Sequence, residues 1–241
     1  MRPQAEFDAV QELIRSGMND CAIARVTGIP RPTVRDWRSK VRNERIDPHC
    51  PICSRAPLDQ AAYAYLLGLY LGDGCLSEHP RGVFKLRIAL DLRYLGIIDE
   101  CARAIAAVRG RNRCGFRENI GCIEVYSFWK HWPCLFPQHG PGLKHRRKIE
   151  LEPWQEEIIG RHPEHLLRGL IHSDGCRSLN RVNGTGYPRY YFTNASEDIR
   201  RIFCNACDRY GVAWRQMNQR NISVARAPDV LKLDLVIGPK A

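Results

Sequence analysis

Leu66-Leu67-Gly68-Leu69-Tyr70-Leu71-Gly72-Asp73-Gly74 returns 101 residues later (174 minus 73) as Leu167-Arg168-Gly169-Leu170-Ile171-His172-Ser173-Asp174-Gly175. Both strings are apolar, carry glycine at the third place and close on Asp-Gly, which implies an internal duplication. Gly68 and Gly169 have no side chain, and small residues on a helix let a second backbone approach closely. Leu66, Leu69 and Tyr70 in one copy, and Leu167, Leu170 and Ile171 in the other, can anchor each helix in its own half-core. The closing Asp-Gly sets a carboxylate at each helix end, with Gly74 and Gly175 expected in left-handed turns. Two helices running together would bring Asp73 and Asp174 together.

Outward from each string the pattern changes from helical to alternating. A loop and then half-buried strands are expected at Val83 to Leu90 and Ile123 to Tyr126, and again at Arg189 to Asn194 and Asn221 to Val224. Helical stretches are expected from Leu95 to Val108, from Glu197 to Tyr210 and around Trp154 to Ile159. In the first strand Phe84, Leu86, Ile88 and Leu90 share one face, while Lys85 and Arg87 share the other. Arg189, Tyr191 and Thr193 oppose Tyr190 and Phe192, and Asn221 and Ser223 oppose Ile222 and Val224. Arg, Asn and Ser at alternate strand positions suit base-edge and phosphate contacts, and Arg177 is grouped with them. A merely solvated sheet face is the competing account.

The paired nonapeptides resemble the LAGLIDADG motifs of homing endonucleases and their relatives, over roughly Leu58 to Val236. That resemblance implies an α+β fold, a pseudo-twofold pair of αββαββα halves whose curved sheets face DNA. It also implies a pair of catalytic, metal-binding aspartates, Asp73 and Asp174; the alternative is an aspartate that only hydrogen-bonds the turn at each helix end. Adjacent carboxylates repel, a divalent cation relieves the repulsion, and hard oxygen ligands suit Mg2+. Metal-assisted phosphodiester hydrolysis on both strands follows. The sixth place holds Leu71 and His172 where the family name spells Asp; His172 reads as packing or solvent-facing. Family members often carry a Lys ahead of the second motif, and Lys144 or Lys148 could stabilise transition-state charge. A simple phosphate-contacting basic loop is the alternative.

The first forty residues read as three short helices. Phe7, Val10 and Ile14 mark the first, Gly17 ends it, and Asn19 or Asp20 caps the second. Thr27-Gly28-Ile29-Pro30 makes a tight turn, and Pro32 suits the first turn of a third helix running to about Arg42. Val34 and Trp37 point inward there, leaving Arg31, Thr33, Arg35, Arg38, Ser39 and Lys40 outside. The segment Ala22 to Trp37 resembles resolvase-like and homeodomain-like helix-turn-helices, whose last helix enters the major groove. A three-helix interaction module is the alternative. The expected organisation is a small all-α helix-turn-helix domain at 1–45, a linker at 46–57 with a possible Cys/His metal element, and LAGLIDADG halves at 58–150 and 151–241.

Thirty-seven Lys+Arg against 26 Asp+Glu leave a net charge of +11 over 241 residues, which points to a polyanionic partner. Double-stranded DNA leads. No apolar run approaches a membrane span and the start lacks a signal peptide, so a cytoplasmic, nucleoid-associated monomer with internal pseudo-twofold symmetry is expected. Eleven cysteines form an odd number without an export signal, so most should be reduced. Cys204 and Cys207 read as core. Cys50-x-x-Cys53 has metal-ligand spacing beside His49, and a structural Zn2+ wants four ligands. Candidates for the rest lie in His131-Trp132-Pro133-Cys134, then His139 and His145, with Cys134 and His139 carried forward. Two functions stand side by side: a DNA endonuclease, and a transcription regulator using a retired core as a DNA reader. RNA binding ranks lower, because no single-strand stacking platform is evident among the strand aromatics.

Overall fold

Three short helices build the N-terminal unit: α1 (Gln4–Arg15), α2 (Asp20–Thr27) and α3 (Arg31–Ser39). Asn19 starts α2, its side chain accepting the Ala22 N–H at 3.0 Å, and Gly28 ends α2 with φ +68°. Val10, Ile23, Ile29 and Val34 form the buried centre, with Phe7 edge-on to Trp37 at 5.1 Å. The computed structural model describes residues 3–39, 47–110 and 114–238; Lys40 and the expected helix end at Arg42 lie outside them.

The chain divides into two units, Met1–Asp47 and Pro48–Ala241. The second begins with a turn rather than a free linker: Cys50 is fully buried and packs into the main core. Its first half runs α4 (Gln60–Asp73), β1 (Gly74–His79), β2 (Val83–Asp91), α5 (Leu95–Arg109), β3 (Gly115–Asn119), β4 (Cys122–Trp129) and the short α6 (Trp132–Leu135). A 3-10 turn, Lys144–Arg146, and α7 (Pro153–Arg161) lead into the second half. There follow α8 (Pro163–Asp174), β5 (Gly175–Val182), β6 (Thr185–Thr193), α9 (Glu197–Tyr210), β7 (Arg215–Gln216), β8 (Asn221–Val224) and α10 (Ala227–Ile237). Each half is therefore helix, two strands, helix, two strands, helix. The antiparallel sheets repeat one topology, β1-β2-β4-β3 and β5-β6-β8-β7.

No loop follows either nonapeptide, contrary to expectation. Each helix turns directly into a strand at its terminal glycine, and neither glycine is left-handed: Gly74 has φ −86° and Gly175 φ −114°. Glycine is needed for space instead. A Cβ on Gly74 would lie 2.4 Å from the Tyr70 Cα, and one on Gly175 2.7 Å from the Ile171 Cα. Among the described residues no helix is long and apolar enough to cross a membrane.

Candidate nucleic-acid interface and acidic pair

Along the α4–α8 seam the two backbones touch. A Cβ on Gly169 would sit 2.2 Å from the Tyr65 carbonyl oxygen, and one on Gly68 2.7 Å from that of Leu166 and 2.8 Å from the Gly169 Cα. The register continues to the helix ends, where a Cβ on Gly72 would fall 2.2 Å from Ser173 Oγ and 3.1 Å from Asp174 Oδ2. The Gly72-Asp73 end of α4 and the Ser173-Asp174 end of α8 are thus adjoining. His172 packs, with Nδ1 3.0 Å from the Tyr65 hydroxyl and Nε2 3.1 Å from the Ile237 carbonyl oxygen.

Of the two lysines considered, Lys144 is the one at this point. Its ammonium donates to the last carbonyls of α4, those of Tyr70 (2.6 Å), Leu71 (2.9 Å) and Gly72 (2.7 Å), as a cation at a helix C-terminus should. Burial pulls its pKa down to about 8, against the opposing pull of Asp174 and Asp73, so both carboxylates feel the same ammonium. Lys148 instead forms a surface ion pair with Glu150 at 2.7 Å, both side chains mostly exposed. Sequence reasoning missed Asn194. Its Nδ2 donates to Asp174 Oδ2 at 2.6 Å while its Oδ1 accepts the Ser196 N–H at 2.7 Å, so the amide is oriented from both ends.

The sheets present the polar faces that alternation predicts. Leu86, Ile88 and Leu90 are buried, and Lys85 and Arg87 stand opposite. Both approach Glu124 on β4, Lys85 at 3.8 Å and Arg87 at 3.6 Å, and Lys85 Nζ sits 4.3 Å above the Tyr126 ring. In the second sheet Tyr190, Phe192, Ile222 and Val224 are buried, and Arg189, Tyr191, Thr193, Asn221 and Ser223 alternate with them. Thr193 Oγ1 donates to Asn221 Oδ1 at 2.7 Å, and Arg189 Nη1 lies 3.3 Å from the Tyr191 hydroxyl. Ser223 is on this face but covered, 3% exposed. Arg177 corrects an expectation. It pairs in register with buried Tyr190, so it points to the helix side, where it binds Asp234 of α10 at 2.8 and 3.0 Å.

In the N-terminal unit Arg31 and Arg35 are exposed and Thr33 half-buried along α3. Arg38 is exposed as well, and its guanidinium reaches Asp20 (2.7 Å) and the Met18 carbonyl (2.6 Å), tying α3 to the start of α2.

Two comparisons fit this anatomy. Residues 4–50 match the family model described as Homeodomain-like domain. The solved structure of I-DmoI with DNA and Mn superposes with a TM-score of 0.51 at 15% identity, covering 75% of this chain and 98% of that one. I-WcaI bound to its DNA recognition sequence also gives 0.51 at 15%, covering 86% and 92%. The chain's core has the LAGLIDADG homing-endonuclease fold. No curated protein sequence matches the chain.

Besides the acidic pair the core holds a second cluster, of a different chemistry. Cys50, Cys53, His131 and Cys134 place their ligand atoms all within 4.8 Å of one another. His139, expected as the fourth member, packs edge-on against Phe84 instead, with ring centroids 5.6 Å apart. His131 takes its place because it lies three residues before Cys134, so the start of α6 turns both side chains one way. Cys204 and Cys207 are buried core residues.

Proposed function

We propose that the chain binds double-stranded DNA and hydrolyses its phosphodiester bonds with a Mg2+-class cation held by Asp73 and Asp174. The observation that supports this most is the glycine seam that sets Asp174 against the end of α4, beside the ammonium that both aspartates share. The donor set fits a hard divalent cation: two carboxylates at adjoining helix tips. Neighbours of the same fold carry DNA and Mn, which favours the same use here. Such a cation, when bound, lowers the pKa of a water and offsets charge on the leaving oxygen.

The chain's own residues have definable tasks. Asp73 and Asp174 would hold the cation, and Asn194 fixes the orientation of Asp174. Lys144, charged below about pH 8, props the end of α4 and brings a positive charge to where phosphate charge builds up. Lys85, Arg87, Arg189 and Asn221 line the faces that would contact phosphates and base edges, and Arg31, Thr33 and Arg35 would do so from the third helix. As the two halves differ at these positions, the target would be asymmetric, read by a monomer in the cytoplasm at the nucleoid.

The test is plasmid or oligonucleotide cleavage with Mg2+ or Mn2+ on a site selected from a random library. Cutting by wild type and its loss in Asp73→Asn and Asp174→Asn are expected, with DNA affinity kept. Tight binding without cutting under either metal would overturn hydrolysis. It would favour the second reading, a transcription regulator with a retired core. One observation leans that way: all three Lys144 protons are already committed to backbone carbonyls.

A further inference from the structure

The cluster of Cys50, Cys53, His131 and Cys134 belongs to neither the acidic pair nor the sheet faces. Cys53 Sγ lies 3.6 Å from Cys134 Sγ and 3.5 Å from His131 Nδ1, and Cys134 Sγ lies 3.6 Å from His131 Nδ1. A tetrahedral Zn2+ with bonds of about 2.3 Å to sulfur and about 2.05 Å to nitrogen has S···S edges of about 3.8 Å and S···N edges of about 3.6 Å. The three distances lie on those edges. The fourth donor, Cys50 Sγ, lies within 4.8 Å of the other three ligand atoms, so a single ion can reach all four.

Both sides of the cluster are built to hold this arrangement. On one side Cys50-Pro51-Ile52-Cys53 is a tight turn: the Cys53 N–H donates to Cys50 Sγ at 3.3 Å. The Ser54 N–H and Oγ both close on the Cys50 carbonyl oxygen, at 3.0 and 2.6 Å. An N–H donor to a sulfur stabilises it as thiolate, the form in which cysteine binds metal. On the other side Cys134 N–H donates to the His131 carbonyl at 3.1 Å, and fully buried Trp132 anchors the segment through Nε1 to the Ser127 carbonyl at 3.1 Å. Cys50 is buried, His131 and Cys134 half-buried and Cys53 exposed, so the site closes onto the core from its surface.

We propose that Cys50, Cys53, His131 and Cys134 are the four ligands of a structural Zn2+. Three soft sulfurs and one imidazole select zinc over the hard cation suited to the aspartates. Four protein ligands leave no open position, so the ion is a clasp and not a second catalytic centre. What it clasps is the turn opening the second unit: residues 48–54, without helix or strand, are held against the first half beside α6. No step of hydrolysis passes through it, so the proposal stands or falls apart from the aspartates.

The experiment is elemental analysis of full-length protein, purified without a polyhistidine tag and without added metal. Roughly one zinc per chain is expected. Titrating the thiols of wild type with a mercurial in the presence of a chromogenic chelator should release that zinc as the ligand thiols react. Cys53→Ser and Cys134→Ser should lose most of the metal, while Cys176→Ser, an exposed cysteine elsewhere, should keep it. Cobalt-loaded wild type should show the intense visible bands of a tetrahedral thiolate site, which decides the matter even if the serine variants fail to fold. Metal-free protein with these thiols reduced would overturn the proposal. So would a Cys53–Cys134 disulfide found by non-reducing peptide mapping, or zinc unchanged in both serine variants.

Discussion

The two halves of the core share a backbone plan and differ where they would work. In the first, Asp73 is exposed and its helix is capped by Lys144; in the second, Asp174 is half-buried and hydrogen-bonded by Asn194. The pairings Gly74↔Ile88 and Gly175↔Phe192 make Leu90, buried and apolar, the counterpart of Asn194. The first half therefore has an apolar side chain at the place from which Asn194 reaches Asp174 in the second. The sheet faces diverge in the same manner: the first couples Lys85 and Arg87 to Glu124, while the second offers Arg189, Tyr191 and Asn221. The difference teaches that duplication has preserved what both halves need, the glycine contact and the acidic tips, and has left each half to position its own tip.

The largest effect is expected where the halves cannot differ. Gly169→Ala drives a methyl into the Tyr65 carbonyl and should cost about 3 kcal/mol or more of stability in urea unfolding. Gly160→Ala, in α7 with open space at its Cβ, should be neutral or stabilising by about 0.5 kcal/mol. Equal effects at the two glycines would break the claim of a backbone seam.

A smaller effect separates the halves by pH. Folded Lys144 titrates near 8 while the unfolded side chain keeps its proton to about 10.4. Between these values the unfolded state binds more protons, so this group makes stability rise with pH. From pH 8 to 9.5 the gain should be about 1.6 kcal/mol, and Lys144→Met should remove that slope. Activity should move the other way, falling as pH passes about 8 if the ammonium's charge assists the reaction.

Asn194→Leu would give the second half the first half's apolar neighbour. Losing a hydrogen bond to a carboxylate should cost about 1.5 kcal/mol in stability, and should slow cleavage through kcat more than through KM. An unchanged kcat would leave Asn194 a purely structural partner. The smallest effect is expected at Glu124→Gln. Removing a carboxylate that competes with phosphate for Lys85 and Arg87 should raise DNA affinity about two- to five-fold at low salt, fading as salt rises. A loss of affinity would show that Glu124 positions the cations rather than competing for them.

The sequence made the seam legible because its signals are local: glycine at one helix position, Asp-Gly at the end. The central strands were legible because Phe84 to Leu90 and Asn221 to Val224 alternate plainly. The edge strands were not. β1, β3, β5 and β7 carry charges or small residues with little periodicity, and an unseen β5 hid the fact that Arg177 faces the helices. Long-range pairings were beyond reach in the same sense. Nothing near Arg38 announces Asp20, nothing near Asp174 announces Asn194, and the choice of His131 over His139 depends on how α6 lies against the turn at Cys50.

Because α4 and α8 run in the same direction and finish together, their peptide dipoles add. Each contributes roughly half an elementary negative charge at its C-terminal end, so the main chain makes the meeting point unfriendly to a polyanion even before a side chain is counted. Lys144 offsets part of this at α4. An approaching nucleic acid would meet a local barrier that ionic conditions can lower, and docking at the centre should accordingly be more sensitive to divalent ions than docking along the flanks.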